Sequence, residues 1–391
     1  METYDAIVVG AGPAGLMASR KIAESGFNVL LVEKGKRLGE KPCGEAVSEA
    51  TIKDAEVHLD EKVLLNKIRS AYVYAPDESR RVEIFREIEE IGSGFIIDKK
   101  RFLQVLLDES AKQGSKVKLG TMIVKCERIN VEEAVRVTLS PGGEVYGKII
   151  VGCDGFNSTI RKTMFPPERI EFISCIQYVM EGCRLGDESV MRFYFGREVA
   201  PLGYLWVFPK GNGLANVGVG VRKGAAKEYL EKFIKKHSEM FSSAKIVEVG
   251  GAPVTVSGQI KNIVQDNIML CGEAAGQVIP LTGAGIHTAI VSGRTAGEVA
   301  VEALRRNDLS KISLNKYVER FNAAYGERIV KSRKALTVLE KLSDDDLNKL
   351  AEVLTGADVL DLANGTNIER VAKKLLAHPI LAARVAMALL S

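Results

Sequence analysis

Tyr4-Asp5-Ala6-Ile7-Val8-Val9-Gly10-Ala11-Gly12-Pro13-Ala14-Gly15 opens the chain. A β-branched apolar run meets glycines spaced G-x-G-x-x-G, and a helix-forming stretch, Leu16 to Ser25, follows. This pattern predicts a strand, a tight turn and a helix. Gly10 permits the turn, Gly12 lets backbone N–H groups approach a pyrophosphate, and Gly15 lets helix and strand pack closely around Ala14. The helix N-terminus adds orphan N–H donors and the positive end of its dipole. A second apolar run, Asn28-Val29-Leu30-Leu31-Val32, ends at Glu33, eighteen residues beyond Gly15. An acid there accepts hydrogen bonds from both hydroxyls of an adenosine ribose and repels a 2′-phosphate. Together the two runs predict a dinucleotide-binding unit.

The chain of 391 residues is long enough for two or three structural units around a large core. Its 46% hydrophobic and 27% charged residues are those of a soluble globular protein. The net charge of +4 is spread along the chain, which speaks against a nucleic-acid face. No apolar run approaches the roughly twenty residues of a membrane span, and none reads as a secretion signal before the first strand. The six cysteines show no C-x-x-C spacing, so no metal site is expected. They read as free thiols in a reducing cytoplasm.

Three later segments bear on which dinucleotide is bound. Ile97-Asp98-Lys99-Lys100-Arg101-Phe102-Leu103 starts a helix running to about Gln113, with Arg101 in its first turn within reach of phosphate or ribose. Val151-Gly152-Cys153-Asp154-Gly155 is a strand ending in Asp-Gly, with Arg161 beyond. Asn267-Ile268-Met269-Leu270-Cys271-Gly272-Glu273 is another strand ending at an acid, followed by Gly283-Ala284-Gly285-Ile286 and a long helix from about His287.

This ordered set resembles the p-hydroxybenzoate hydroxylase superfamily of flavoproteins. The resemblance implies an α/β protein with a Rossmann-like FAD-binding domain. The first motif would hold the ADP part, Asp154 would close over it, and Gly272 and Glu273 would meet the ribityl chain. The family usually has Asp where this chain has Glu273. The Gly283–Gly285 turn would aim the helix end at Ile286 toward the flavin N1–C2=O edge, favouring the anionic reduced flavin. The strand read over Val117 to Val124 would pass the adenine, with Val124 contributing either backbone contacts or only core packing.

Two further segments narrow the field. Lys41-Pro42-Cys43-Gly44-Glu45-Ala46 follows the ribose-binding strand closely, so Cys43, Gly44 and Ala46 would border the isoalloxazine. In Pro201-Leu202-Gly203-Tyr204-Leu205-Trp206-Val207-Phe208-Pro209, alternation puts Tyr204, Trp206 and Phe208 on one strand face. Such a face either packs into an ordinary core or roofs a long apolar cavity. In combination these segments resemble the geranylgeranyl reductase family, whose members saturate isoprenoid chains of archaeal membrane lipids or of chlorophyll. The resemblance runs from Met1 to about residue 330.

The implied chemistry is hydride transfer from reduced FAD to an isolated alkene, with protonation of the other carbon. Cys43, Tyr204 and His287 are the candidate proton donors, and Tyr204, Trp206 and Phe208 would line the substrate. Cys43 has a second reading as a loop-shaping thiol, and His287 as a capping or surface histidine. The partners implied are an isoprenoid lipid and an external electron donor: a nicotinamide, a deazaflavin, a ferredoxin or a quinol.

Interleaving of the motifs predicts discontinuous domains: 1–50, 95–165 and 262–310 for FAD, and 51–94 with 166–261 as a mostly antiparallel substrate sheet. A helical C-terminal unit, 311–391, remains. Its last segment, Ala377 to Leu390, reads as a helix docked on the body, a cap on the substrate tunnel or a peripheral contact with a membrane. Two rival functions share the scaffold. An FAD monooxygenase or halogenase would consume oxygen, and a non-catalytic prenyl carrier would not need the complete cofactor motifs.

Overall fold

The computed structural model describes residues 2–85, 94–130 and 134–390. Residues 86–93, within the segment assigned to the substrate sheet, lie outside the described residues. The opening motif forms strand Glu2–Val9 and helix Pro13–Glu24, with Pro13 in the first helical turn, where its missing N–H costs nothing. Val29–Val32 lies parallel beside the first strand. The sheet order is Val264–Gln265, Ile268–Leu270, Gly143–Gly152, Glu2–Val9, Val29–Val32 and Lys116–Lys118. Only its first pair is antiparallel. Strands Ala134–Ser140 and Met122–Asn130 extend it as an antiparallel meander from Gly143–Gly152.

The stretch expected as one strand, Val117 to Val124, is two. Gly120 takes φ +64 after Lys116–Lys118, and a separate strand starts at Met122. The first serves the parallel sheet and the second the meander, a division that alternation cannot reveal.

Helices Pro13–Glu24, Lys99–Lys112 and Ile286–Arg306 pack together beside the parallel sheet. Their contacts depend on missing side chains. A Cβ on Gly15 would lie 1.8 Å from the Gly10 carbonyl oxygen, and one on Gly293 would lie 2.0 Å from that of Ala14. One turn further, a Cβ on Gly297 would lie 2.9 Å from the Ala18 oxygen. The two helices therefore touch backbone to backbone along two turns.

A second, seven-stranded sheet has the order Lys245–Thr255, Phe172–Glu181, Leu214–Val221, Tyr204–Gly211, Val190–Tyr194, Ser70–Tyr74 and Arg81–Phe85. All its pairs are antiparallel except Val190–Tyr194 with Ser70–Tyr74. Leu205, Val207, Val217 and Val219 on one face bury against Leu230 and Phe233 of helix Ala226–Lys236. That helix is capped at His237, and a short separate helix, Ser238–Phe241, follows. The opposite face carries the aromatic residues. A small third sheet, Ala46–Ser48, Gly94–Ile97 and Leu64–Ile68, lies between the two large ones in sequence.

The C-terminal helices begin as a nearly continuous rod from Lys311 to Lys341, interrupted by a π-helical turn at Asn322–Gly326. Helices Asp344–Val353, Gly356–Asn364, Ile368–Leu375 and Pro379–Leu390 follow. Ser343 and Asp346 form a capping box, as do Thr355 and Asp358. Val338, Leu342, Leu350, Leu375, Leu381 and Ala388 form a separate core of this unit. Among the described residues no helix is long and apolar enough to cross a membrane.

Gly293→Val should force the two glycine-crossed helices apart. We expect a loss of about 3 kcal/mol or more, read as a lowered unfolding midpoint with reduced flavin content in the folded fraction.

Candidate functional site

The opening motif makes a cradle of glycine backbone. Gly10 has φ +97, and a Cβ there would lie 2.4 Å from the Cys153 oxygen, so only glycine fits. A Cβ on Gly12, by contrast, would meet nothing within 4 Å. Gly12 is the N-cap of helix Pro13–Glu24 and supplies no side-chain acceptor, so the first-turn N–H groups face open space. The Glu33 carboxylate stands beside this turn, held by N–H donors from Ala11 and Gly35, each at 2.7 Å. An anion cradle next to an oriented acid suits a pyrophosphate and its ribose.

The same arrangement recurs at helix Ile286–Arg306. Its N-cap is Gly285, again without a side-chain acceptor. Gly283 takes φ +66 in the turn before it. Gly272, at φ +60, tucks under Ala14, where an added Cβ would lie 3.2 Å from the Ala14 Cβ. The glycine crossings thus fix the offset of the two uncapped helix ends, with Ala14 opposite Gly293 about two turns inside the long helix. These residues fit FAD: one helix end for the pyrophosphate and a second for the flavin edge.

Glu273 is half-buried, and its carboxylate accepts from Lys41 Nζ at 2.5 Å and from the Thr255 N–H at 3.2 Å. It therefore ties the Lys41–Glu45 loop to the second sheet. Asp154 has its side chain turned to its own chain. Its carboxylate accepts from Ser158 Oγ at 2.5 Å and from the N–H groups of Thr159 and Ile160, so it caps helix Thr159–Met164. Burial pushes its pKa up. Arg101 is exposed in its helix's first turn and pairs with Asp98 at 3.2 Å. Val124 is exposed on the meander, shortly after the Thr121 N–H that donates to the Glu33 oxygen.

The Lys41–Ala46 loop is held by buried charge. Glu45 takes φ +65, a left-handed conformation unusual for a residue with a side chain. Its carboxylate pairs with Lys210, accepts from Asn216 Nδ2 at 2.8 Å and accepts from the Lys99 N–H at 3.0 Å. Asn216, fully buried, also donates to the Gly44 oxygen at 3.0 Å. The Lys99 ammonium donates to the Lys41 carbonyl. Leaving out any member would strand a buried charge, so the network determines the loop. Sequence reasoning missed Lys99, Lys210 and Asn216, because no local pattern links them to Glu45.

This loop lies directly on the aromatic face. A Cβ on Gly44 would lie 2.8 Å from Phe208 Cε2 and 3.7 Å from Trp206 Nε1. Tyr204, Trp206 and Phe208 do share a face, with ring centroids 5.9 and 6.4 Å apart along the strand. Phe193 packs on Tyr204 and Phe208. Trp206 lies over Gly218, where a Cβ would come within 2.3 Å, and donates to Gln177 Oε1 at 3.2 Å. Trp206 and Phe208 are buried with Ile68 and Ile96, whereas Tyr204 is half-buried.

Tyr204 Oη donates to the Thr282 carbonyl at 2.5 Å, joining the aromatic strand to the Gly283 turn. Burial, reinforced by the Cys175 and Cys43 thiols, raises its pKa. Beyond Tyr204 lies a mainly apolar cleft walled by Ile173, Leu281, Leu336, Leu339, Leu342 and Leu347, with Arg197, Glu340 and Asp344 also in its lining. Its outer wall belongs to the C-terminal helices.

The three candidate proton donors differ in their freedom. Cys43 is half-buried, and its Sγ accepts from the Glu45 N–H at 3.3 Å. Tyr204 directs its proton at a carbonyl. Both ring nitrogens of His287 are engaged, Nε2 with Asp54 at 2.8 Å and Nδ1 with the Tyr325 hydroxyl at 2.9 Å. Burial would raise the Asp54 carboxyl, but His287 and Arg294 hold it below its ordinary value. His287 thus ties the helix end to the helix carrying Asp54 and to the π-helical turn. Cys175 is a further thiol missed in the sequence; burial pushes it up to about 12. Ala46, expected at the flavin, is exposed and opens strand Ala46–Ser48 opposite Ile96.

Gly12→Val separates cradle from fold. The backbone there, φ −77 and ψ 178, suits valine. The apoprotein should keep its unfolding midpoint within about 1 kcal/mol while FAD affinity falls at least a hundredfold in a flavin-fluorescence titration.

Comparison with known proteins agrees with this geometry. Residues 3–172 match the family model described as FAD binding domain, and residues 171–254 match that of the geranylgeranyl reductase catalytic domain. Digeranylgeranylglycerophospholipid reductase 2 of Methanopyrus kandleri is 34% identical, covering 96% of each chain. Digeranylgeranylglycerophospholipid reductase of Methanocaldococcus jannaschii is 36% identical, covering 96% of this chain and 95% of the relative. The crystal structure of a geranylgeranyl bacteriochlorophyll reductase-like protein from Thermoplasma acidophilum superimposes with a TM-score of 0.86 at 29% identity, covering 99% of this chain and 100% of that one. The chain belongs to the geranylgeranyl reductase family, carrying an FAD-binding domain and the family's catalytic domain in one polypeptide.

Proposed function

We propose that this protein is an FAD-dependent reductase that saturates isolated double bonds of geranylgeranyl chains carried on a glycerophospholipid, in archaeal membrane lipid biosynthesis. The observation that carries this reading is the seat of Gly44 on Phe208 and Trp206, with the leucine-lined cleft continuing past Tyr204. It sets the loop bordering the cofactor against an apolar surface suited to a hydrocarbon chain.

Bound and reduced, FAD supplies the hydride for such a step. Gly10, Gly12, Ala14 and Gly15 would receive its pyrophosphate, with Arg101 near the phosphates, and Glu33 would receive the adenosine ribose. Val124 would flank the adenine, and the turn at Asp154 would close over the ADP part through its backbone. Gly272 and Glu273 would serve the ribityl chain, while Gly283, Gly285 and Ile286 would present their helix end to the flavin.

An isolated alkene has no carbonyl to polarise, so an oxyanion hole has nothing to stabilise. The protein's contribution is to hold the alkene in register, exclude water and keep one proton ready. Trp206, Phe208 and Tyr204 do the first two. Cys43 is the proton donor in this reading, since Tyr204 and His287 have their polar atoms committed to Thr282, Asp54 and Tyr325. Its Sγ–H bond would break as the new C–H bond forms, and the thiolate would regain its proton from water. Electrons would come from an external donor (nicotinamide, deazaflavin, ferredoxin or quinol), and the lipid would be met at the cytoplasmic membrane surface.

The test is anaerobic. The flavin of the purified holoenzyme is reduced with dithionite and mixed with a geranylgeranyl lipid, and flavin reoxidation and product mass are followed. We expect reoxidation with stepwise gain of paired hydrogens; reoxidation only after oxygen is admitted would overturn the reading in favour of a monooxygenase or halogenase. Trp206→Ala should retain flavin but lower turnover of long prenyl chains about tenfold or more, as expected for a lost aromatic anchor. Cys43→Ser should slow single-turnover alkene reduction by about a hundredfold while leaving flavin reduction by its donor unchanged.

A further inference from the structure

The last helix, Pro379–Leu390, is apolar on two sides. Leu381 and Ala388 are buried against Val338, Leu342 and Leu350, which docks the helix on the C-terminal core. The opposite side faces water. Ile380 is 70% exposed and Met387 61%, with Ala383 exposed between them, and Leu376 in the preceding turn is 71% exposed. A helix apolar all round belongs in a fully apolar setting, and such a patch on a soluble chain marks an interaction surface.

Charge indicates the partner. From residue 370 to residue 391 there is no Asp or Glu; Arg370 pairs back with Asp358 and Asp361, Lys374 with Asp358 and Arg384 with Asp346, while Lys373 is exposed three residues before Leu376. Arg384 rises from the same helix and remains 42% exposed while pairing with Asp346. A second copy meeting this patch across a two-fold axis would set these cations against their own counterparts. An anionic lipid surface would accept the apolar side chains and attract the exposed ammonium of Lys373 beside them.

The position fits as well. The inner side of this helix packs on Val338 and Leu342, and Leu342 also walls the cleft beyond Tyr204. One helical unit thus has the cleft on one side and the exposed patch on the other.

We propose that Leu376, Ile380, Ala383 and Met387 form the surface through which the protein docks on an anionic lipid bilayer, on the helical unit that also walls the cleft. This inference rests on the proposed reductase function only for why docking is useful; the surface itself can be tested without it.

The test uses the holoenzyme in flotation with two kinds of vesicle: pure phosphatidylcholine, and phosphatidylcholine with about one-third phosphatidylglycerol. The native protein should float with the anionic vesicles, less so at high salt. Ile380→Glu with Met387→Glu should weaken that binding about tenfold or more, and Lys373→Glu by a smaller factor. Unfolding midpoint and flavin content should not change, because these side chains contact solvent. Reduction of a detergent-dispersed geranylgeranyl substrate should persist in the double variant, while reduction of the same chain embedded in vesicles should fall.

Equal flotation of native and double-variant protein would overturn the proposal. So would a native protein that does not float, or a patch whose mutation abolishes self-association in sedimentation while flotation persists. Patch-dependent flotation by a protein that reduces no prenyl chain would support the docking surface and overturn the reductase reading, so the two failures are distinct.

Discussion

Everything at the site depends on backbone touching backbone where glycine removes the side chain. Gly15 against the Gly10 oxygen seats the first helix on its strand, and Gly293 and Gly297 seat the long helix on the first. Each contact would be closed by a single methyl group. The consequence is electrostatic. Two helix N-termini without side-chain caps are set in fixed offset along one packed pair, about 10 Å apart in register, and their dipoles make a region prepared for a dinucleotide's anionic parts. A wider crossing would keep both helices but separate their ends, and the site would lose its shape before the fold lost its core.

A second constraint joins this region to the aromatic sheet. Glu45 adopts a left-handed conformation that costs free energy, and Lys210, Asn216 and the Lys99 N–H hold it there. In a low-dielectric setting such a network is strong when complete and unfavourable when broken. It positions Gly44 against Phe208, so the loop that carries Cys43 has little freedom. Lys41 extends the same loop to Glu273, and Lys99 grips its backbone at Lys41. The reactive surface is thus assembled from elements far apart in the chain.

The C-terminal helices take part in the site instead of trailing behind it. They wall the apolar cleft beyond Tyr204, and Tyr325 in the π-helical turn binds His287 at the start of the long helix. π-helical turns often occur where a helix must place one side chain off its regular face. Here that side chain connects the C-terminal unit to the helix end that would meet the flavin. The Ser343–Asp346 capping box stabilises the short helix that supplies Leu347 to the cleft's outer wall.

The glycine motif, Glu33, the second glycine turn and the period-two aromatics were all legible in the sequence, because each is a local rule. Turn sterics, helix-end polarity and strand alternation act between near neighbours. The break of Val117–Val124 at Gly120 was less legible, since both halves are β-formers and only their sheet partners distinguish them. The Asp154 carboxylate is claimed by three donors in its own next turn, a capping role that the Asp-Gly pattern did not announce. Nothing local links Glu45 to Lys210, Asn216 and Lys99, or His287 to Asp54 and Tyr325. The sequence by itself determined the kind of cofactor cradle and the aromatic stripe. Tertiary structure alone decided what covers that stripe, which histidine nitrogens are engaged and where the cleft runs. Those are meetings between residues dozens to hundreds of positions apart, 38 for His287 with Tyr325 and 233 for His287 with Asp54, set by packing and burial, for which no short-range spacing provides a signal.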